Sequence, residues 1–333
     1  MNSAVIASFA ACLVFALAGP HLTRALPPHL AVRLLVPSVL LAAGTSAFVL
    51  GTVAFTWVGQ LAEVAEVGTW SPNSLHLLDP IPTTLAAATG VILVALALWT
   101  LRSVLHTGWA LLSASRAVRH LNPGVDTPFV LVGNARPEAF TTPGLRPLTI
   151  ITTGMFEALD GPGRQVLLAH ERSHRIHRHT WWALTADLAA AINPLLHPTA
   201  CALREATERW ADEDAALVGG RRLVAETSAH IALLGRHPLA SNVFASATGG
   251  LVPRRVIALL QPPPRARARH LAAVVALALA VTLGALDVEH MGENLFEHAE
   301  AATAANHLVH QSPHRAESPC DTEVGHPHLI GGI

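Results

Sequence analysis

Residues 170–174 read His170-Glu171-Arg172-Ser173-His174, a pattern of the form H-E-x-x-H. The residues just before them, 164–169, have the apolar spacing of a helix, which predicts that the pattern lies on one. Residues four apart share a helix face, so both imidazoles could bind one zinc ion. Glu171 would then act as general base on the zinc-bound water, whose pKa zinc lowers toward ~7. The spacing thus predicts one catalytic Zn2+ per chain.

The amino-acid composition shows how often such a motif arises by chance, and it also indicates a membrane protein. With 20 His in 333 residues, the pattern would arise by chance in roughly one such chain in twenty. The chain is 51% hydrophobic and only 14% charged, with a mean hydropathy of +0.41, which indicates membrane helices and a lipid partner. A net charge of -1 gives no electrostatic case for direct nucleic-acid binding.

Four apolar segments predict membrane helices. Their approximate bounds are 3–19, 34–58, 81–101 and 270–286. A crossing needs about 20 apolar residues, so the first and last are short. The first has no basic residue before it, which favours a retained helix over a signal peptide. We therefore predict a multi-pass cell-membrane protein with three helices in 1–101 and a fourth at 270–286.

The charges between these segments all indicate one orientation. The basic residues concerned are Arg24, Arg33, Arg102, Arg116, Arg119, Arg265, Arg267 and Arg269, and the acidic ones are Glu63, Glu66, Asp79, Asp287, Glu289, Glu293, Glu297 and Glu300. The arginines lie on one side of the predicted membrane and the acids on the other. By the positive-inside rule, 102–269 is cytoplasmic, while the N-terminus and 287–333 are outside.

The tail at 287–333 is rich in histidine. Its metal-binding side chains are His290, His298, His307, His310, His314, Cys320, His326 and His328. They could hold metal ions. A disordered polar tail explains the same composition and is the prediction.

The region 102–269 combines strand and helix signals. Phe129–Val132 and Leu148–Thr152 read as short strands. The stretch between them contains Ala139, Phe140 and Thr141, which could form an edge strand that pairs with an extended substrate, or an ordinary strand. The apolar run 181–196 is predicted as a buried or membrane-facing helix because it is short and contains an Asp. The predicted fold is a mainly α membrane protein with four transmembrane helices and a cytoplasmic α+β domain.

The third zinc ligand must come from outside the motif, because a catalytic zinc usually keeps three protein ligands. Glu208 and Asp212 are four apart and share a helix face. Glu208 could bind zinc, and Asp212 could accept a hydrogen bond from the free ring N–H of a ligand histidine. A solvated acidic face would explain the same residues, and Glu205 and Asp214 are weaker candidates for the ligand.

Other histidines fit the site less well. His177 lies too far along a straight helix from His170 to share an ion. We predict that His177 and His179 are helix-end cations or surface residues. The chain has no Tyr, so any side chain that stabilises an oxyanion would be a His or an Arg, and His230 is a weak candidate.

The order of these features resembles the membrane-embedded gluzincin-type metallopeptidases. The order is strand, Ala-Phe-Thr-Thr-Pro-Gly at 139–144, strand, H-E-x-x-H, Asn193-Pro194, then Glu-x-x-x-Asp at 208–212. The closest resemblance is to the BlaR/MecR-type antirepressor peptidases, with the HtpX-type proteases as near relatives. It implies that Glu208 is the third zinc ligand and that the cytoplasmic α+β domain is a zincin-like peptidase domain. The layout of three helices, peptidase and fourth helix is also similar.

The resemblance also sets the expected function. BlaR/MecR sensors carry a large extracellular penicillin-binding domain, whereas here only 47 residues follow 286, without Ser-x-x-Lys. The resemblance implies a zinc endopeptidase that cleaves a protein or peptide substrate, such as a transcriptional repressor. The alternatives are an HtpX-like quality-control protease and a non-catalytic metal-binding signalling protein.

Overall fold

A computed structural model describes residues 2–79, 81–119, 129–142, 147–234 and 252–311. The described chain is mainly helical, with one small sheet. The helices are α1 (Asn2–Ala25), α2 (Pro28–Val58), α3 (Ala62–Gly68), α4 (Pro72–Leu78), α5 (Thr83–Arg119), α6 (Thr153–Ala158), α7 (Gly161–His177), α8 (His179–Ile192), α9 (His197–Gly219), α10 (Arg221–Leu234), α11 (Val252–Leu260) and α12 (Ala268–Gln311). The strands are β1 (Phe129–Val132), β2 (Ala139–Thr141) and β3 (Thr149–Thr152).

Four of these helices are long and apolar enough to cross a membrane. Their candidate spans are Ser3–Ala25, Pro28–Val58, Thr83–Arg116 and Ala268–Ala305. They overlap all four predicted segments, so four helices long and apolar enough to cross a membrane lie where the sequence predicted them. Helix α5 continues past the predicted end of the third membrane segment at residue 101, as far as Arg119. Arg102 does not end it, because arginine is a good helix former and no Pro follows within the helix.

The tail prediction is wrong for residues 287–311. They form the second half of α12, which runs unbroken to Gln311. Apolar side chains recur there at helical spacing: Val288 is buried beside Ala4 and Val49, and the ring of Phe296 packs on Phe55, with centroids 5.3 Å apart. The high histidine content of this segment suggested a disordered tail, although its apolar side chains have helical spacing. The tail residues His314, Cys320, His326 and His328 lie outside the described residues.

The sheet contains both predicted strands and, as β2, the strand that the sequence suggested between them. Strand order is β1-β3-β2, with β1 parallel to β3 and β2 antiparallel to it. Thr141 of β2 pairs with Thr149 of β3. Among the described strands β2 is therefore at an edge, as the sequence suggested, and β3 is buried in the middle. Of the motif quoted at 139–144, Pro143 and Gly144 lie outside the described residues.

The second half of the chain packs directly on the first membrane helices. Helix α8 lies against α2, and α9 lies against both α1 and α2. They share one buried core, which includes Phe15, Leu35, Ala189, Leu203, Trp210 and Val274. The run predicted at 181–196 is α8 followed by a short turn of 3-10 helix at Pro194–Leu196. The segment is thus a packed helix, as predicted, and α9 returns from its end to the metal-binding motif.

Candidate metal centre

Helix α7 sets the two motif histidines side by side. Asp160 caps its first turn by accepting a hydrogen bond from the Gly163 amide at 2.8 Å. The helix ends at Arg178, which has the left-handed φ of 53°. Between these ends, His170 and His174 project from one face, with their Nε2 atoms 3.1 Å apart. Both imidazoles therefore present a ring nitrogen to the same point.

Helix α9 brings a carboxylate to that point. An Oε atom of Glu208 lies 3.7 Å from Nε2 of His170, and the other lies 3.5 Å from Nε2 of His174. The ligand atoms of these three residues lie within 4.8 Å of one another. Among the described residues this is the one group of His, Cys, Asp or Glu found with such spacing. The structure thus brings together the three residues that the sequence nominated.

The two weaker candidates point elsewhere. The nearest cation to Glu205 is Arg254, at 3.7 Å. Asp214 accepts a hydrogen bond from the Ser173 hydroxyl at 2.6 Å and faces the His177 ring at 3.2 Å. Neither carboxylate joins the group around Glu208.

The other ring nitrogen of His170, Nδ1, faces Asp212. The sequence predicted this role for Asp212, as the acceptor for a ligand histidine. The distance from Nδ1 to Oδ1 is 3.1 Å, and Asp212 is buried. Burial lowers the pKa of His170, but its hydrogen bonds to Asp212 and Glu208 outweigh burial and raise that pKa to about 10. A metal ion would have to displace the proton from Nε2, and the hydrogen bond from Nδ1–H to Asp212 would then keep the Nε2 lone pair directed at the ion.

Arg255 of α11 connects the two acids and was missed by sequence reasoning. It donates to Asp212 from Nε at 2.8 Å and from Nη2 at 2.6 Å, and to Glu208 from Nη1 at 3.0 Å. Burial opposes the ionisation of Asp212, yet Arg255 holds the pKa of that carboxyl at about 2. The pKa of Glu208 likewise lies well below its ordinary value, because His174 and Arg255 outweigh burial. Both carboxylates are therefore held ionised, and no motif around Arg255 pointed to this role.

His179 begins α8, so it does lie at a helix end, but the prediction that it is a cation or a surface residue is wrong. Its ring is buried, and its Nδ1 lies 3.0 Å from Nδ1 of His174. Burial lowers the pKa of His179 to about 2, so it stays neutral and can accept the N–H of His174. The left-handed turn at Arg178 folds the chain back at this point, which a straight-helix reading of the sequence did not allow for.

His177 is also more enclosed than predicted. Its ring stacks on Trp210, with centroids 4.5 Å apart, while its Nε2 faces Asp214. It stands outside the group of three, as its distance along the helix indicated. His230, the weak oxyanion candidate, is exposed on α10.

The candidate base, Glu171, is buried beside β2. Its Oε2 accepts a hydrogen bond from the Thr141 hydroxyl at 2.8 Å, and that hydroxyl lies 3.1 Å from the Thr149 hydroxyl. Thr141 thus orients Glu171 through its side chain, a contact that the sequence did not predict. Of the other two nominated substrate residues, Ala139 packs into the core under the sheet and Phe140 is 45% exposed.

Comparisons of the chain with protein-family models, with curated proteins and with solved structures find no match. The chemistry of the site therefore rests on its own residues. Two imidazole nitrogens and one carboxylate, each with an outer hydrogen-bond partner, form a donor set that suits zinc.

Proposed function

We propose that this protein is a membrane zinc endopeptidase that hydrolyses peptide bonds of a cytoplasmic regulator, such as a transcriptional repressor. The observation that carries the proposal is the convergence of His170, His174 and Glu208 with Glu171 next to them in the same helix. The placement of arginines beside the apolar segments supports a cytoplasmic position for the site. The resemblance to antirepressor peptidases supports the choice of substrate.

In this proposal the three residues would hold one zinc ion. Three protein ligands leave a fourth position open, which is the pattern of catalytic rather than structural zinc. The ion would supply Lewis acidity, which makes water acidic enough to lose a proton near neutral pH and polarises a carbonyl. His170 and His174 would bind through Nε2, since Asp212 and His179 face their other nitrogens.

The remaining residues would move protons and hold the ligands in place. Glu171 would take a proton from water and pass it to the leaving amine. Thr141 would hold its carboxylate in position through the 2.8 Å hydrogen bond. Arg255 would act by positioning, because Nε, Nη1 and Nη2 each already donate to Asp212 or Glu208.

The edge strand β2 offers a place for the substrate. Its outer edge has no partner among the described strands, and an extended peptide could add to it through main-chain hydrogen bonds. A narrow cleft beside it is lined by Thr141, Thr142, His174 and Trp181, among others, so a peptide on this edge would pass the ligand histidine. Phe140, which faces outward, would then contact substrate side chains.

Removal of the metal tests the proposal. Protein reconstituted in liposomes is incubated with a panel of unstructured fluorogenic peptides, before and after treatment with a chelator. Several kcal/mol of transition-state stabilisation would be lost with the ion, so we expect the rate to fall by at least about 10²-fold. Zinc should restore it, and magnesium should not, because imidazole ligands suit zinc. Cleavage that survives complete removal of zinc would contradict the proposal.

Asp212 gives a second prediction. Asp212→Asn removes the charge that faces His170 and Arg255, and zinc affinity should fall by about 10–100-fold. Affinity is measured by competition with a chromophoric chelator. Asp214→Asn is the matched control, because Asp214 lies on the same helix and bonds to Ser173 instead. An equal loss of zinc affinity in both variants would mean that Asp212 has no special role in supporting the zinc ligand His170.

A further inference from the structure

The segment formed by α8, the turn at Pro194–Leu196 and the first half of α9 is a helical hairpin of unusual composition. Between Trp181 and Arg204 its charged side chains are Asp187 and Arg204 alone. These two pair with each other across the hairpin, with Nε of Arg204 donating to Oδ1 of Asp187 at 2.8 Å. Lone charges are costly in hydrocarbon, but paired charges on an otherwise apolar segment are tolerated. The hairpin therefore has the surface of an element that lies in lipid.

The tip of the hairpin is bonded to the middle of the first two membrane helices. Asn193 donates from Nδ2 to the Ser46 hydroxyl at 2.9 Å, and Ser46 donates to Sγ of Cys12 at 3.3 Å. Cys12 lies in the middle of the apolar segment 3–19. Ser46 is 18 residues from Pro28, or about 27 Å along α2 at 1.5 Å per residue. Cys12 is 13 residues from Ala25, or about 20 Å along α1.

These depths place the tip within the bilayer if α1 and α2 cross it. The hydrocarbon core is about 30 Å thick. Ser46 is also about 18 Å from Val58 at the other end of α2, and Cys12 is about 15 Å from Asn2. Both residues therefore lie near the middle of their helices, and the tip lies near the middle of the bilayer.

Asn193 and Leu196 anchor the tip in the protein, whereas Pro194 and Leu195 between them are exposed. The tip amides are bonded within the turn: the Leu195 N–H donates to Oδ1 of Asn193 at 3.1 Å and the Leu196 N–H to the Asn193 carbonyl at 3.0 Å. Non-helical backbone at membrane depth needs its polar groups paired in this way, and Pro194 has no N–H to satisfy.

The base of the hairpin lies at the cytoplasmic boundary of the bilayer. The Arg33 guanidinium sits over the ring of Trp210, 4.8 Å from its centroid. Arg33 is one of the arginines that mark the cytoplasmic side, and Trp210 stands between the nominated ligand Glu208 and its neighbour Asp212. Trp181, at the start of α8, is 41% exposed, as is typical of tryptophan at a membrane interface.

We propose that this hairpin is a re-entrant element: it enters the lipid bilayer from the cytoplasmic side, turns near the middle and returns, so that its partner is the hydrocarbon of the membrane. Glu208 follows Arg204 by one helical turn, and the hairpin therefore holds the metal centre at the membrane surface. A substrate on β2 would meet the site beside that surface. The position of the hairpin does not depend on whether the site cleaves peptides.

The test uses the native Cys201, which is exposed on the hairpin. Cys12 and Cys320 are replaced by Ser in the full-length protein, and a nitroxide spin label is attached to Cys201 in liposomes. Two reference labels are made in the same background: Leu279→Cys, 55% exposed in the apolar part of α12, and Leu217→Cys, 86% exposed at the far end of α9. Collision rates are measured with oxygen, which concentrates in hydrocarbon, and with a water-soluble nickel chelate.

We expect the label on Cys201 to give an oxygen-to-nickel collision ratio like that at Leu279→Cys, and several-fold above that at Leu217→Cys. The residues 201 and 217 share one helix and lie about 24 Å apart along it, so the contrast reports depth rather than a difference between elements. A ratio at Cys201 equal to that at Leu217→Cys would place the hairpin in water and overturn the proposal. Retained zinc binding shows that each labelled protein is folded, and the collision ratios are read whether or not peptides are cleaved.

Discussion

Glu171→Gln is expected to lower peptide hydrolysis by about 10²–10⁴-fold while the protein keeps its zinc. The amide has the size of the carboxylate and can still accept the Thr141 hydrogen bond, but it cannot take a proton from water. The variant therefore separates proton transfer from metal binding. The rate is measured with detergent-purified protein, and bound zinc is counted by elemental analysis in the same samples.

Glu157→Gln is a suitable control for this change. Glu157 is exposed on α6, and its loss should leave both the rate and the zinc content unchanged. Full activity in Glu171→Gln would remove Glu171 as the base. If wild type and variant both hold zinc and neither cuts any peptide, the non-catalytic alternative, a metal-binding signalling protein, would be favoured instead.

Glu208→Ala is expected to reduce zinc affinity by more than the about 10–100-fold that loss of an outer partner costs. It removes one of three ligands and also leaves Nη1 of Arg255 without its carboxylate, which lies 3.0 Å away. Purified protein should lose its zinc during dialysis against a mild chelator, and peptide hydrolysis should disappear with it.

Glu205→Ala, one turn earlier on α9, is the matched control. Its carboxylate faces Arg254 rather than the histidines, so we expect wild-type zinc content. The reverse result, zinc lost in Glu205→Ala and kept in Glu208→Ala, would transfer the ligand role to Glu205. Glu208→Gln, which preserves the shape and the contact with Arg255, shows whether an effect of Glu208→Ala reflects misfolding.

The local parts of this site were predictable from the sequence. The four-residue spacing of His170 and His174 dictates a shared helix face, because helix geometry repeats every 3.6 residues. Asp160 and Pro162 indicate where that helix begins, and the apolar runs predict four membrane helices. Each of these depends on neighbours within one element, so the order of residues is enough to predict it.

The choice among distant partners was decided by tertiary packing. Glu205, Glu208 and Asp214 all lie on α9, and only the way α9 packs on α7 directs Glu208 toward the two histidines. Arg255 is 43 residues from Asp212, and nothing in its surroundings indicated that it would reach both acids. The sequence alone determined the faces of single helices, because these follow from backbone geometry. Tertiary packing decided which of these faces meet, because burial in a common core brought separate helices together. It also decided that His179 turns back onto His174.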